Sequence, residues 1–147
     1  MSSPPVHAAS ELPGLLSTLA RGRPLVLHFC ATWCTTCRQE FLALHDLFAG
    51  LEGRGVSVAL IWIDDAPTRD AIPGMTLRYR LEGLPALALD APDPDAVARL
   101  LGEPTWDGTL PATFVYDIHQ AKIASFPGAA DRAKLEAAVE LARPGKR

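Results

Sequence analysis

Residues 25–30 form an almost unbroken apolar run, and residues 56–63 form a second. Short apolar runs without polar alternation predict strands buried on both faces, as in a parallel sheet covered by helices. Between them, Cys37, Phe41, Leu44, Phe48 and Leu51 recur at alternating spacings of four and three. That is one apolar stripe of a helix over residues 34–51, which Gly53 and Gly55 end. Strand, helix and strand in this order make a βαβ unit with a right-handed crossover. Upstream, Leu12, Leu15, Leu16 and Leu19 predict a helix over residues 10–20, capped by Ser10 and ended by Arg21-Gly22-Arg23-Pro24. Downstream the pattern weakens. Residues 66–81 read as a helix interrupted at Pro73-Gly74, residues 84–90 as a third strand, and residues 93–101 as a short helix. In that helix Pro94 stands early and Val97, Leu100 and Leu101 turn inward. After a loop at 102–110, residues 112–117 and 122–126 predict a hairpin. A last helix follows over 130–142, with Leu135, Ala138, Val139 and Ala142 inward.

The chain is one domain. Its 147 residues suit a single core, 48% are apolar, 21% are charged and the net charge is −3. Residues 10–142 carry the periodic elements. Residues 1–9, rich in Pro, Ser and Ala, read as a flexible tail, and residues 143–147 as a frayed end. The balance of charge excludes the basic footprint of a nucleic-acid binder, and no apolar run is long enough to span a membrane. Lacking the basic start and apolar segment of a signal peptide, the chain as written is expected in the cytoplasm. A periplasmic location is the alternative for a chain already relieved of its signal.

Three cysteines are too few for a disulfide scaffold. Two of them, Cys34 and Cys37, stand three apart where the first strand gives way to the long helix. A helix N-terminus offers partial positive charge and free N–H groups, both of which favour a thiolate. A second thiol one turn on can displace a mixed disulfide. The pair predicts thiol–disulfide exchange, with Cys34 as nucleophile and Cys37 as resolving thiol. Two other readings stand beside it: a non-catalytic interaction module, and a chaperone for a soft ion such as Cu(I). A structural zinc site would need four ligands, and a second CxxC is missing, so no metal is assigned. His7, His45 and His119 have no evident ligand partner.

The segment Phe29-Cys30-Ala31-Thr32-Trp33-Cys34-Thr35-Thr36-Cys37 resembles the Phe-Trp-Ala-x-Trp-Cys-x-x-Cys of the thioredoxin superfamily. Leu110-Pro111-Ala112-Thr113-Phe114-Val115-Tyr116-Asp117 resembles its Pro-Thr-x-Phe-x-x-Asp segment, and Gly128 its glycine before the final helix. The extra strand and helix between Asp64 and Leu110 are closer to the TlpA/ResA-like branch. Cys30 replaces the usual Trp, Thr36 the frequent Pro, and a helix stands where that branch opens with a hairpin.

The resemblance implies an α/β thioredoxin fold, a mixed sheet of about five strands with helices on both faces. It implies a monomer acting as a reductase of protein disulfides, recharged by an upstream dithiol reductant, with no bound cofactor. It also implies that Pro111 is cis, exposing the Leu110 backbone to an extended substrate segment; the residues alone favour a trans proline opening a strand. Trp33 would form part of the docking surface, and Trp106 either flanks the same groove or anchors its loop. Thr35 and Thr36 either bond a thiolate or face solvent. His28, six residues before Cys34, stands where thioredoxins often carry a buried Asp. It is a candidate proton relay beneath Cys37, or else a core histidine. Cys30 reads as a buried small hydrophobe or a third redox thiol. Asp64 and Asp65 read as solvated acids at a strand end, or one of them as a group that shifts a thiol's acidity.

Overall fold

Six strands make one sheet in the order β1-β4-β3-β2-β5-β6 in a computed structural model describing residues 3–90, 93–103 and 105–145. The strands are β1 (Val6–Ala8), β2 (Leu25–Cys30), β3 (Ser57–Trp62), β4 (Ala86–Asp90), β5 (Ala112–Tyr116) and β6 (Lys122–Pro127). The first four neighbours run parallel; β5 and β6 are antiparallel. The helices are α1 (Leu12–Ala20), α2 (Thr35–Gly53), α3 (Ile72–Arg78), α4 (Pro94–Leu101) and α5 (Arg132–Ala142).

Every residue of β2 and β3 is buried, which is why both read as unbroken apolar runs. One face of the sheet, with Leu25, Leu27, Phe29, Ile61 and Phe114, packs on α1 and α4. The other carries Val26 and Val58 against α2 and α5, and Cys30 and Trp62 against α2 and α3. In β2, residues of one parity serve each face.

The sequence expectations for these elements hold with four corrections. Residues 1–9 are not a loose tail throughout: Val6 to Ala8 pair with Ala88 to Asp90, and Pro5 O accepts from Ala88 N at 2.9 Å. This sixth strand is three residues long and half exposed, so it leaves no apolar pattern to read. Ser10 does not cap α1; it lies in a 3-10 turn whose Glu11 carboxylate accepts from Ala8 N at 2.8 Å. Pro73 does not break the helix over 72–78 but sits in its first turn, where a missing N–H costs nothing. Leu100 faces outward, 43% exposed, while Val97 and Ala98 of α4 are buried. The parts of the expected tails at residues 1–2 and 146–147, and Pro104 in the expected loop, lie outside the described residues.

Candidate active site

The C-terminal edge of β2 delivers the chain directly into the site. Cys34 is the N-cap of α2, in extended backbone, and its Sγ accepts the Cys37 backbone N–H at 3.1 Å. A sulfur in the N-cap role receives a donor that would otherwise go unpaired. The turn that aims it is held from two sides. Asp64, at the end of β3, accepts the Thr32 N–H at 3.1 Å and the Thr32 hydroxyl at 2.5 Å. Arg38 donates to Thr32 O at 3.0 Å and to the Thr35 hydroxyl at 3.2 Å. Asp64 is therefore fully buried rather than a solvated loop acid. Asp65 is exposed as expected.

Opposite Cys34 runs the segment before β5. The Leu110–Pro111 peptide is cis, and the Cys34 thiol lies 3.7 Å from Leu110 O. The loop leading here is anchored by Trp106. That side chain is 4% exposed, packs on Phe29 and Phe114, and donates its indole N–H to Thr109 O at 2.8 Å. Trp106 thus anchors its loop. Gly108 completes the seat. Its φ is +91°, and a Cβ there would come within 2.6 Å of Asp95 N in the first turn of α4. Trp33, beside Cys34, is 55% exposed. A recess of about 310 Å³ lies alongside, between Trp106, Asp107, Thr109 and Gly128. Thr35 and Thr36 are both exposed.

Beneath the helix start the surroundings change. Cys37 is fully buried. Burial pushes its thiol far above the usual range, and the Cys34 sulfur and the Glu40 carboxylate act in the same direction. All three cysteines are free thiols. Cys30 is buried behind them, its Sγ 3.8 Å from Ile61 O; desolvation and the neighbouring Cys37 and Asp64 push its thiol up as well.

Glu40, one turn after Cys37, was not singled out from the sequence. It is 5% exposed, Oε2 accepts the Ala130 N–H at 2.6 Å, and Oε1 has no hydrogen-bond partner. Burial raises its pKa to about 7, partly offset by the Ala130 bond. A signal existed: position 40 is three after Cys37 and four before Leu44, inside the apolar stripe. An acid on that face must be buried.

His28 does not stand alone beneath Cys37. Its Nδ1 lies 2.9 Å from the Thr113 hydroxyl and 3.5 Å from Glu40 Oε1, and its ring packs between Phe41 and Phe48. Burial lowers its pKa to about 3, so it is neutral. Among the described residues no three His, Cys, Asp or Glu side chains converge as a metal site, and no helix is long and apolar enough to cross a membrane.

A parallel core closed by an antiparallel hairpin, with paired cysteines at a helix start facing a cis-proline, defines a thioredoxin-like protein. The chain belongs to the AhpC/TSA family, whose profile matches residues 14–124. A thiol:disulfide interchange protein TxlA homologue of Synechocystis is 30% identical over 89 residues, covering 60% of this chain and 47% of the relative. The chain thus matches about half the length of that curated relative.

Solved structures agree on the fold. A secreted Mycobacterium tuberculosis disulfide oxidoreductase homologous to E. coli DsbE has a TM-score of 0.62 at 20% identity, with 84% of each chain covered. A DsbF homologue from Corynebacterium diphtheriae reaches 0.66 at 21%, covering 84% of this chain and 74% of its own. StoA from Bacillus subtilis reaches 0.60 at 17%, covering 81% and 84%.

Proposed function

We propose that the protein is a thiol–disulfide oxidoreductase that reduces disulfides in protein substrates. The observation that carries this is the Cys34 sulfur at the N-cap of α2, hydrogen-bonded by the Cys37 amide and facing Leu110 O. An extended substrate segment would pair with the Leu110 backbone, with Trp33 against it. The Cys34 thiolate attacks one sulfur of the substrate disulfide; a Cys34–substrate bond forms and the other substrate sulfur leaves as a thiolate. Cys37 then attacks Cys34 Sγ, the mixed disulfide breaks, and the substrate departs with both electrons. An upstream dithiol reductant returns the Cys34–Cys37 disulfide to two thiols, without a bound cofactor.

Cys37 must lose a proton to act. The Glu40 carboxyl, next to it in charge and close to neutrality in acidity, is suited to accept that proton. His28 is too poor a base to do so directly. The likeness to a thiol:disulfide interchange protein supports the reaction class.

The test is reduction of insulin disulfides in the presence of a dithiol. Cys34→Ser should abolish turnover. Cys37→Ser should accumulate a covalent adduct at Cys34 that dithiothreitol releases. Turnover surviving in Cys34→Ser, or adducts forming at Cys37 instead, would overthrow the assignment.

A further inference from the structure

Glu40 Oε1 presents a difficulty. A carboxylate oxygen buried with no hydrogen bond is costly, because the charge has lost water and gained nothing. Among the described residues, the one basic side chain at ion-pair distance from it is His28, with Nδ1 at 3.5 Å. The other groups facing this carboxyl are Cys37 on its own helix, Cys30 on β2 and the Ala130 amide on the loop before α5. None of these supplies a donor to Oε1.

A neutral imidazole carries its proton on one nitrogen only. His28 Nε2 has no partner and lies among aromatic rings. A proton there would be an orphaned buried donor, the rarer and more expensive kind. A proton on Nδ1 has an acceptor in the Thr113 hydroxyl oxygen at 2.9 Å, and lies near Glu40 Oε1, 3.5 Å from the nitrogen. Thr113 comes from β5, directly opposite His28 in the register, so the ring is fixed from the neighbouring strand.

We propose that His28 is a positioning residue: Thr113 holds it as the Nδ1–H tautomer, and the partial positive charge of that N–H, 3.5 Å from Glu40 Oε1 without a hydrogen bond to it, keeps the carboxyl ionised often enough to take the Cys37 proton. Positive charge beside the charged form of an acid favours that form. His28 itself neither gains nor loses a proton. The inference rests on the assignment of Glu40 as the Cys37 proton acceptor, but its physical core can be read without any turnover.

The experiment is NMR on the reduced full-length chain. In the unaltered protein, ¹⁵N shifts of the His28 ring should show Nδ1 protonated across neutral pH. The Glu40 carboxyl ¹³C titration should move upward by about one pH unit in His28→Phe, which keeps an aromatic filler but loses the donor. His28→Asn, whose side-chain amide can stand in for Nδ1–H, should bring the midpoint back toward the original. A ring protonated on Nε2, or a Glu40 midpoint unchanged in folded His28→Phe, would overturn the proposal. A Glu40 midpoint that moves while Cys37 alkylation keeps its pH profile would support the His28 role and sink the Glu40 assignment instead.

Discussion

The two faces of β2 are made from one six-residue strand, yet they do opposite work. Leu25, Leu27 and Phe29 meet α1, α4, Phe114 and Trp106 in a wholly apolar layer. Val26, His28 and Cys30 meet α2, and there the packing includes an imidazole, a carboxyl and three thiols. The apolar face holds the Leu110 loop still through Trp106. The mixed face keeps ionisable groups dry, where their acidities can be moved far. Rigidity and reactivity are thus separated by the thickness of one strand, and changes on the two faces should be separable in experiment.

The largest expected effect is on stability from the apolar face. Phe29→Ala should cost about 3–5 kcal/mol, measured by denaturant unfolding, because Phe29 is fully buried between Trp106 and Phe114. If residual folded protein keeps the parent pH profile of Cys37 alkylation, the separation of the faces stands.

Next comes acid sensitivity from the mixed face. His28 has its pKa depressed from 6.5 to about 3 in the fold, so the unfolded chain binds the proton first. Its contribution to stability is complete above pH 6.5 and is lost as pH falls toward 3. Glu40 runs the other way: its pKa rises from 4.5 to about 7, so its contribution favours the fold at low pH and disappears as pH climbs through that window. His28→Phe should flatten the loss between pH 6.5 and 3 in unfolding midpoints, leaving the opposite Glu40 slope visible. Persistence of the full acid loss would place its origin elsewhere.

A smaller effect is kinetic. Glu40→Gln should slow resolution of the mixed disulfide roughly 10²-fold while leaving Cys34 attack in place, as followed by rapid-quench trapping. An equal slowing of both steps would mean that Glu40 only shapes the helix start. The smallest effect on stability belongs to Trp33→Ala, within about 0.5 kcal/mol, because the ring is exposed. Its expected signature is a raised KM for a protein disulfide, with dithiothreitol oxidation unchanged.

These regions also differ in how far they could be read from residues. The unbroken run Leu25 to Cys30 and the stripe from Cys37 to Leu51 made the central βαβ legible, because burial on both faces or on one helix side is what those periods encode. The edge strand Val6 to Ala8 was not, since its stability comes from backbone pairing with β4 and not from side-chain burial. Cys34 and Cys37 were marked by their place at a strand-to-helix junction. Glu40 went unnoticed because attention to the apolar members of a stripe passes over the acid within it. Asp64 was misread for a related reason: a strand-end carboxylate normally meets water, and only the return of the Thr32 loop from β2 covers it.

The bond from Ala130 N–H to Glu40 Oε2 ties the interior to the loop before α5, two residues beyond Gly128. An anion grips an amide more tightly than a neutral acid does. A proton on Glu40 therefore weakens that tie. The charge of a carboxyl in the core is thereby felt by the backbone that leads into α5.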